Sequence, residues 1–142
     1  VRTLDGTPVA DGAELVQGER YVVLLNGSSD AAREHQALLV DLLPAGLEIE
    51  NTRLRNGGDT GDFSWLPDLT EARHVEMRDD RFIAAYDLSD RRGTFTAAYV
   101  VRAVTRGSYV VPAPYVEDMY QPFRFARGTV GKVTVAAAAS GK

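Results

Sequence analysis

Apolar and polar residues alternate along much of this chain, and a period of two residues is the pattern of a β-strand. Residues 94–104 give the longest such run, with one face formed by Phe95, Ala97, Tyr99, Val101 and Ala103. Residues 81–88 give a second run, with Phe82, Ala84, Tyr86 and Leu88 on one face. Further strands are predicted over residues 20–25, 37–43, 47–50, 75–78, 108–111 and 131–137. The pattern predicts an all-β protein.

Turn residues separate these segments, and short strands spaced in this way are typical of an antiparallel β-sandwich. The strand over residues 108–111 is expected to pair with the one over residues 94–104, across a turn at 105–107. One short helix is predicted from Pro67 to Arg73. Pro67 suits a first helical position, and Asp68 and Glu71 would lie in the first turn.

Length and composition are those of one soluble globular domain. The 142 residues are 44% hydrophobic and 25% charged, and the net charge of −4 argues against nucleic acid as a partner. Cysteine is absent, which excludes disulfides and thiolate chemistry within this chain. The apolar runs are well short of the ~20 residues that a membrane-spanning helix needs.

Catalytic and metal-binding motifs are missing from the sequence. His35 and His74 fall in different predicted elements and are interpreted as surface residues. A glycine-rich loop contains Asp59 and Asp62, and its side-chain oxygens resemble those of a calcium-binding loop. It lacks the alternating ligands and the final bidentate glutamate of such a loop. We therefore predict no enzyme activity, no metal and no cofactor.

Three charged residues of the predicted strands have simple interpretations. Glu48 and Glu50 lie two apart on a strand, about 6–7 Å from each other, and are expected on a solvated sheet face. Arg102 interrupts the longest strand, and its charge needs a partner if that face is covered. We expect either an ion pair with Asp41 or Asp87 or a plainly exposed arginine.

The candidate functional segment runs from Gly107 to Pro122, GSYVVPAPYVEDMYQP. Proline lacks an amide donor, so three prolines in this stretch predict an irregular loop after the strand over residues 108–111. A solvated loop does not normally carry so many apolar side chains. They either plug the end of the core together with Tyr109 or face another domain. The candidate partner-binding residues are Tyr115, Glu117, Asp118, Met119 and Tyr120.

A family resemblance is carried by three runs: VDLLPAGLEIEN from Val40 to Asn51, MRDDRF from Met77 to Phe82, and AAYVVRAVTRG from Ala97 to Gly107. In this order they resemble the last macroglobulin-like domain of bacterial alpha-2-macroglobulins, the thioester-containing protease traps. The resemblance covers nearly the whole chain. It implies a macroglobulin-like sandwich over residues 1–142, which is the C-terminal piece of a much larger chain. That larger protein is expected in the periplasm, anchored to the membrane through an upstream lipid signal.

The resemblance also implies partners and a role. In thioester proteins this domain packs against the thioester domain, and its aromatic and Met side chains keep water off the thioester until a protease cleaves the bait region. Met119 and Tyr120 match that role within the MY-x-P run. Target proteases would be met only through the full-length protein.

Two departures limit what the resemblance implies. Without cysteine, the thioester motif cannot lie in this piece. The predicted helix has no lysine, so receptor binding of the vertebrate kind is not implied. The alternative function is a free-standing β-sandwich binding or adhesion module that uses the Tyr115–Tyr120 loop on a soluble ligand.

Overall fold

The computed structural model describes residues 1–30, 33–50 and 63–139. Within these ranges the chain forms twelve strands and no helix, which confirms the all-β prediction. The strands are β1 (Arg2–Thr3), β2 (Glu14–Val16), β3 (Arg20–Ser28), β4 (His35–Leu42), β5 (Leu47–Glu50), β6 (His74–Arg78), β7 (Arg81–Leu88), β8 (Thr94–Ala103), β9 (Gly107–Val111), β10 (Tyr115–Asp118), β11 (Phe125–Arg127) and β12 (Gly131–Ala136).

Two antiparallel sheets face each other and form the sandwich. Sheet I has the strand order β1-β3-β8-β5, and sheet II has the order β11-β10-β4-β7-β6. The predicted apolar faces of β7 and β8 meet between them. Phe82 stacks on Tyr99 with ring centroids 4.7 Å apart, and Tyr86 stacks on Phe95 at 5.0 Å. Alternation along these two strands therefore builds the centre of the core.

A third sheet, sheet III, extends the core with the order β2-β12-β9. It contributes Leu15, Val133 and Val135 to the buried cluster. The β2–β12 pair is parallel, and the predicted pairing of β9 with β8 is wrong, because β9 pairs with β12. Both edges of β8 are already taken, by β3 from Thr94 to Arg102 and by β5 from Val100 to Ala103.

The predicted helix from Pro67 to Arg73 is also wrong, because these residues run as an irregular segment without helical turns. Thr70 donates its backbone amide to Thr96 O at 2.9 Å, and its side-chain oxygen accepts from Thr96 N at 2.9 Å. Together with Phe63 and Trp65, the segment covers the outer face of sheet I. The residues buried there are Val22, Ala98 and Val100. Long-range packing and hydrogen bonding outweigh the local helix signals.

Arg102 has a different partner from either one predicted. Its Nε donates to Glu50 Oε1 at 2.9 Å, and Arg20 Nη1 lies 3.5 Å from Glu50 Oε2. The strand register explains this choice, since it aligns β3, β8 and β5 so that all three side chains share the outer face of sheet I. Asp41 and Asp87 lie on strands of the other sheet.

Candidate functional site

The candidate segment contains a strand where a loop was predicted. Residues Tyr115–Asp118 form β10, which pairs with β4 on one side and with β11 on the other. The prediction is wrong because Pro112, Pro114 and Pro122 flank this strand and do not interrupt it. Residues 115–118 keep all their amide donors, and β10 is therefore an inner strand of sheet II.

Tyr115 and Glu117 lie on the outer face of β10 and bind each other. The Tyr115 hydroxyl donates to Glu117 Oε2 at 2.6 Å, and this hydrogen bond raises the pKa of Tyr115. The Tyr115 ring also contacts Phe125, with centroids 5.8 Å apart, and the Arg127 guanidinium lies 5.2 Å from its centroid. These contacts brace the β10–β11 hairpin from outside.

Asp118 ends β10 and is 5% exposed. Its Oδ1 accepts from the backbone amides of Tyr120 at 2.9 Å and Gln121 at 3.1 Å, and its Oδ2 accepts from Arg33 Nη2 at 3.1 Å. Burial acts to raise the pKa of Asp118, but these hydrogen bonds and the charges of Arg33 and His35 outweigh it and lower the pKa. The carboxylate therefore holds the turn that follows β10.

That turn and the first residue of β11 present an apolar surface to solvent. Met119 is 43% exposed, Tyr120 76%, Phe123 77% and Phe125 58%. We call these four residues the aromatic turn. Tyr120 does not plug the core of this chain. Tyr109, by contrast, is half-buried and packs against the core.

Sequence reasoning found only part of this surface. Met119 and Tyr120 were selected from composition, whereas Phe123 and Phe125 were missed because they follow Pro122. The alternation Phe123-Arg124-Phe125 was the available signal, since it places two aromatic rings close together in a segment already marked by exposed apolar residues.

Two hollows flank the aromatic turn. One has a volume of about 270 Å³ and lies at the open end of the sandwich, between Leu88, Phe95 and Phe123. The other has a volume of about 670 Å³ and is bordered by Tyr120. Its charged lining consists of Glu34, Arg73, Asp87, Arg91 and Arg92, with His35 beside them. We call this second hollow the arginine groove.

The described part of the chain has neither a metal-binding cluster nor a membrane-spanning helix. Among residues 1–30, 33–50 and 63–139, no three His, Asp or Glu side chains are placed to hold a metal ion. No helix in the described part of the chain is long and apolar enough to cross a membrane. His35 Nδ1 lies 3.0 Å from Arg33 O. Asp59 and Asp62 fall outside the described residues.

The fold and this surface define a β-sandwich domain with an exposed aromatic turn beside a charged groove. The family model for the bacterial alpha-2-macroglobulin MG10 domain matches residues 1–122, and the chain belongs to this family. The resemblance seen in the sequence, and the macroglobulin-like fold that it implies, are confirmed.

Related proteins agree with this assignment. An alpha-2-macroglobulin of Xylella fastidiosa strain Temecula1 is 41% identical over 140 residues, covering 94% of this chain and 8% of that protein. The native Escherichia coli alpha-2-macroglobulin, crystallised from domain MG7 to its C-terminus, matches with a TM-score of 0.80 and 36% identity over 94% of this chain and 22% of that one. Salmonella alpha-2-macroglobulin reacted with methylamine matches with a TM-score of 0.77 and 35% identity, over 95% of this chain and 9% of that one. The chain thus spans less than a tenth of its Xylella relative.

Proposed function

We propose that this chain is a non-catalytic, C-terminal domain of a periplasmic protease inhibitor of the alpha-2-macroglobulin type. Its aromatic turn packs on the thioester domain of the same protein and shields the thioester. The observation that supports this proposal is the exposure of Met119, Tyr120, Phe123 and Phe125 on a turn that Asp118 holds in place.

Burial of the aromatic turn would supply the free energy of the contact. A large apolar side chain removed from water contributes about 1.5–3 kcal/mol, against which the cost of association must be set. Asp118 and Arg33 already order the turn in the free domain. Little conformational entropy is then lost when a partner covers it.

Each candidate residue has a distinct part in this proposal. Met119 and Tyr120 contact the thioester domain and exclude water and amines from the thioester. Tyr115 and Glu117 brace the hairpin through their mutual hydrogen bond of 2.6 Å. Asp118 is buried and acts on the partner only by positioning the turn. Cleavage of the bait region by a target protease would release this contact.

The alternative, a free-standing binding module, would use the same turn on a soluble ligand. The match to a domain family of large proteins favours the inhibitor. The proposed partners are accordingly the other domains of the same chain, with target proteases bound by the whole protein. The Salmonella relative that reacted with methylamine suggests a direct assay, because small amines attack thioesters.

The test compares Tyr120→Ala with Val110→Ala in the full-length protein. Val110 is also exposed, at 60%, but it lies on β9, away from the turn. We expect methylamine to release the thioester thiol several-fold faster in Tyr120→Ala only, while the 142-residue chain keeps its melting temperature in both variants. Release at the wild-type rate in Tyr120→Ala would contradict the proposal.

A further inference from the structure

The arginine groove continues the surface formed by the aromatic turn, since Tyr120 borders both. Three arginines line it: Arg73, which immediately precedes β6, and Arg91 and Arg92 in the turn between β7 and β8. Any partner that covers Tyr120 also comes close to these arginines. The chemistry of the groove therefore bears on the same contact.

The arginines of the groove are only partly matched by carboxylates. Arg73 Nη1 pairs with Asp87 Oδ1 at 3.3 Å, and both side chains are more than half exposed. Arg91 and Arg92 form no ion pair with any carboxylate in the described part of the chain, although Glu34 also lines the groove. Positive charge is thus in excess here, on a chain whose net charge is −4.

The backbone that carries these arginines is fixed by hydrogen bonds. Ser89 N donates to Arg92 O at 3.2 Å, and Arg92 N donates back to Ser89 O at 3.1 Å. Ser29 N donates to Gly93 O at 2.6 Å, which ties the turn to the end of β3. A partner therefore meets guanidinium groups whose attachment points are already in place.

We propose that the arginine groove binds a carboxylate side chain of the thioester domain, next to the Tyr120 contact. This inference rests on the proposed function. The guanidinium group is a planar fork that binds carboxylates through two parallel hydrogen bonds. Apolar burial at the aromatic turn would lower the water content around the pair and strengthen it relative to a fully solvated surface pair.

An ion pair would make this contact sensitive to salt, which a purely apolar contact is not. Between about 0.1 M and about 1 M salt the Debye length falls from about 10 Å to about 3 Å, which screens exposed charges. Shielding of the thioester should then weaken as salt rises. Loss of the arginines should remove this dependence.

The experiment measures methylamine-driven thiol release in the full-length protein, at both salt concentrations, for the double variant Arg91→Gln/Arg92→Gln. The matched control is Arg106→Gln, an exposed arginine in the turn after β8, at the opposite end of that strand. We expect release about fivefold faster than wild type at low salt in the double variant, with little further change at high salt. The control should follow wild type. Arg91→Lys/Arg92→Lys keeps both charges without the planar fork and should give an intermediate rate.

The outcomes separate this inference from the proposed function. Wild-type release and wild-type salt dependence in the double variant would overturn the carboxylate site. If Tyr120→Ala accelerates release in the same assay, the proposed function stands without it. If neither variant differs from wild type, both proposals fail. Equal melting temperatures of the variant and wild-type 142-residue chains establish that the substitutions leave the fold intact.

Discussion

The Tyr99 hydroxyl donates a 2.6 Å hydrogen bond to Asp41 Oδ2 across the interior between sheets I and II. Both residues are buried. Burial raises the pKa of Asp41, although the Tyr99 hydrogen bond acts in the opposite direction. The sandwich therefore carries an acid at its centre whose ionisation opposes folding.

Replacement of Asp41 by Asn should become more favourable as the pH rises. An acid with a raised pKa in the folded state adds stability that is complete below its unfolded pKa, about 3.9, and is lost as the pH rises through the folded pKa. Asn keeps an acceptor for Tyr99 but cannot ionise. Relative to wild type, the free energy of unfolding of Asp41→Asn should increase between about pH 4 and about pH 8, by about 1.4 kcal/mol per unit of pKa elevation. Chemical denaturation at both pH values measures this.

Tyr99→Phe is the counterpart of that substitution. It removes the donor that partly offsets burial, so the loss of stability should be greater at pH 8 than at pH 4. For each variant, the free energy of unfolding is compared with that of wild type. If neither difference varied with pH, Asp41 would ionise as readily in the folded chain as in the unfolded one.

Gly27 illustrates where local signals mislead. Asn26-Gly27 is a turn signal, and the strand predicted over residues 20–25 stops before it, yet β3 continues to Ser28. Gly27 lies opposite Phe95 in the β3–β8 register, and a Cβ atom at this position would overlap the Phe95 ring. The glycine is there to accommodate a core ring that stacks on Tyr86.

Gly27→Ala should therefore destabilise the chain by about 1–3 kcal/mol, the usual cost of overpacking a core. The matched control is Gly131→Ala, also in a strand, where an added Cβ would make only an ordinary 3.7 Å contact with Val111. It should be neutral or slightly stabilising, because Ala restricts the unfolded chain. Thermal melting of both variants checks the pair, and equal shifts would mean that the Phe95 ring moves aside without cost.

Much of the fold follows from alternation, because a strand with one buried face must keep its apolar side chains on that face. The faces of β7 and β8 were predicted correctly for this reason. The segment from Pro67 to Arg73 was not, since its conformation depends on Thr96, which is distant in sequence. Local capping signals contain no information about such a partner.

The candidate site was predictable in its composition but not in its geometry. Met119 and Tyr120 stand out in the sequence as apolar side chains between prolines, but the sequence left open whether they plug the core or face another domain. The burial of Asp118 was not predictable, because an aspartate in a sequence usually indicates a solvated position. Only the folded chain brings Arg33 and two backbone amides to this carboxylate.

Asp118→Ala should loosen the aromatic turn without touching its exposed rings. The substitution removes the acceptor for the amides of Tyr120 and Gln121, and loss of such a cap costs about 1 kcal/mol. We expect roughly fivefold faster hydrogen exchange at these two amides in the 142-residue chain. In the full-length protein, methylamine should release thiol faster, as in Tyr120→Ala.

Two further variants show whether Asp118 acts through the turn. Asp118→Asn retains an acceptor oxygen but loses its attraction for Arg33, so its amide exchange and thiol release should be intermediate. Asp68→Ala removes an exposed carboxylate elsewhere and should leave both rates unchanged.

The pH dependence of the turn follows from the lowered pKa of Asp118. The contribution of its carboxylate to the stability of the turn is present above the ordinary aspartate pKa and is lost only as the pH falls through the lower folded value. Exchange protection of Tyr120, corrected for the intrinsic rate, should thus stay constant from about pH 8 to about pH 5 in wild type. Unchanged exchange in Asp118→Ala would mean that the turn is held by its other backbone contacts and that Asp118 has no positioning role.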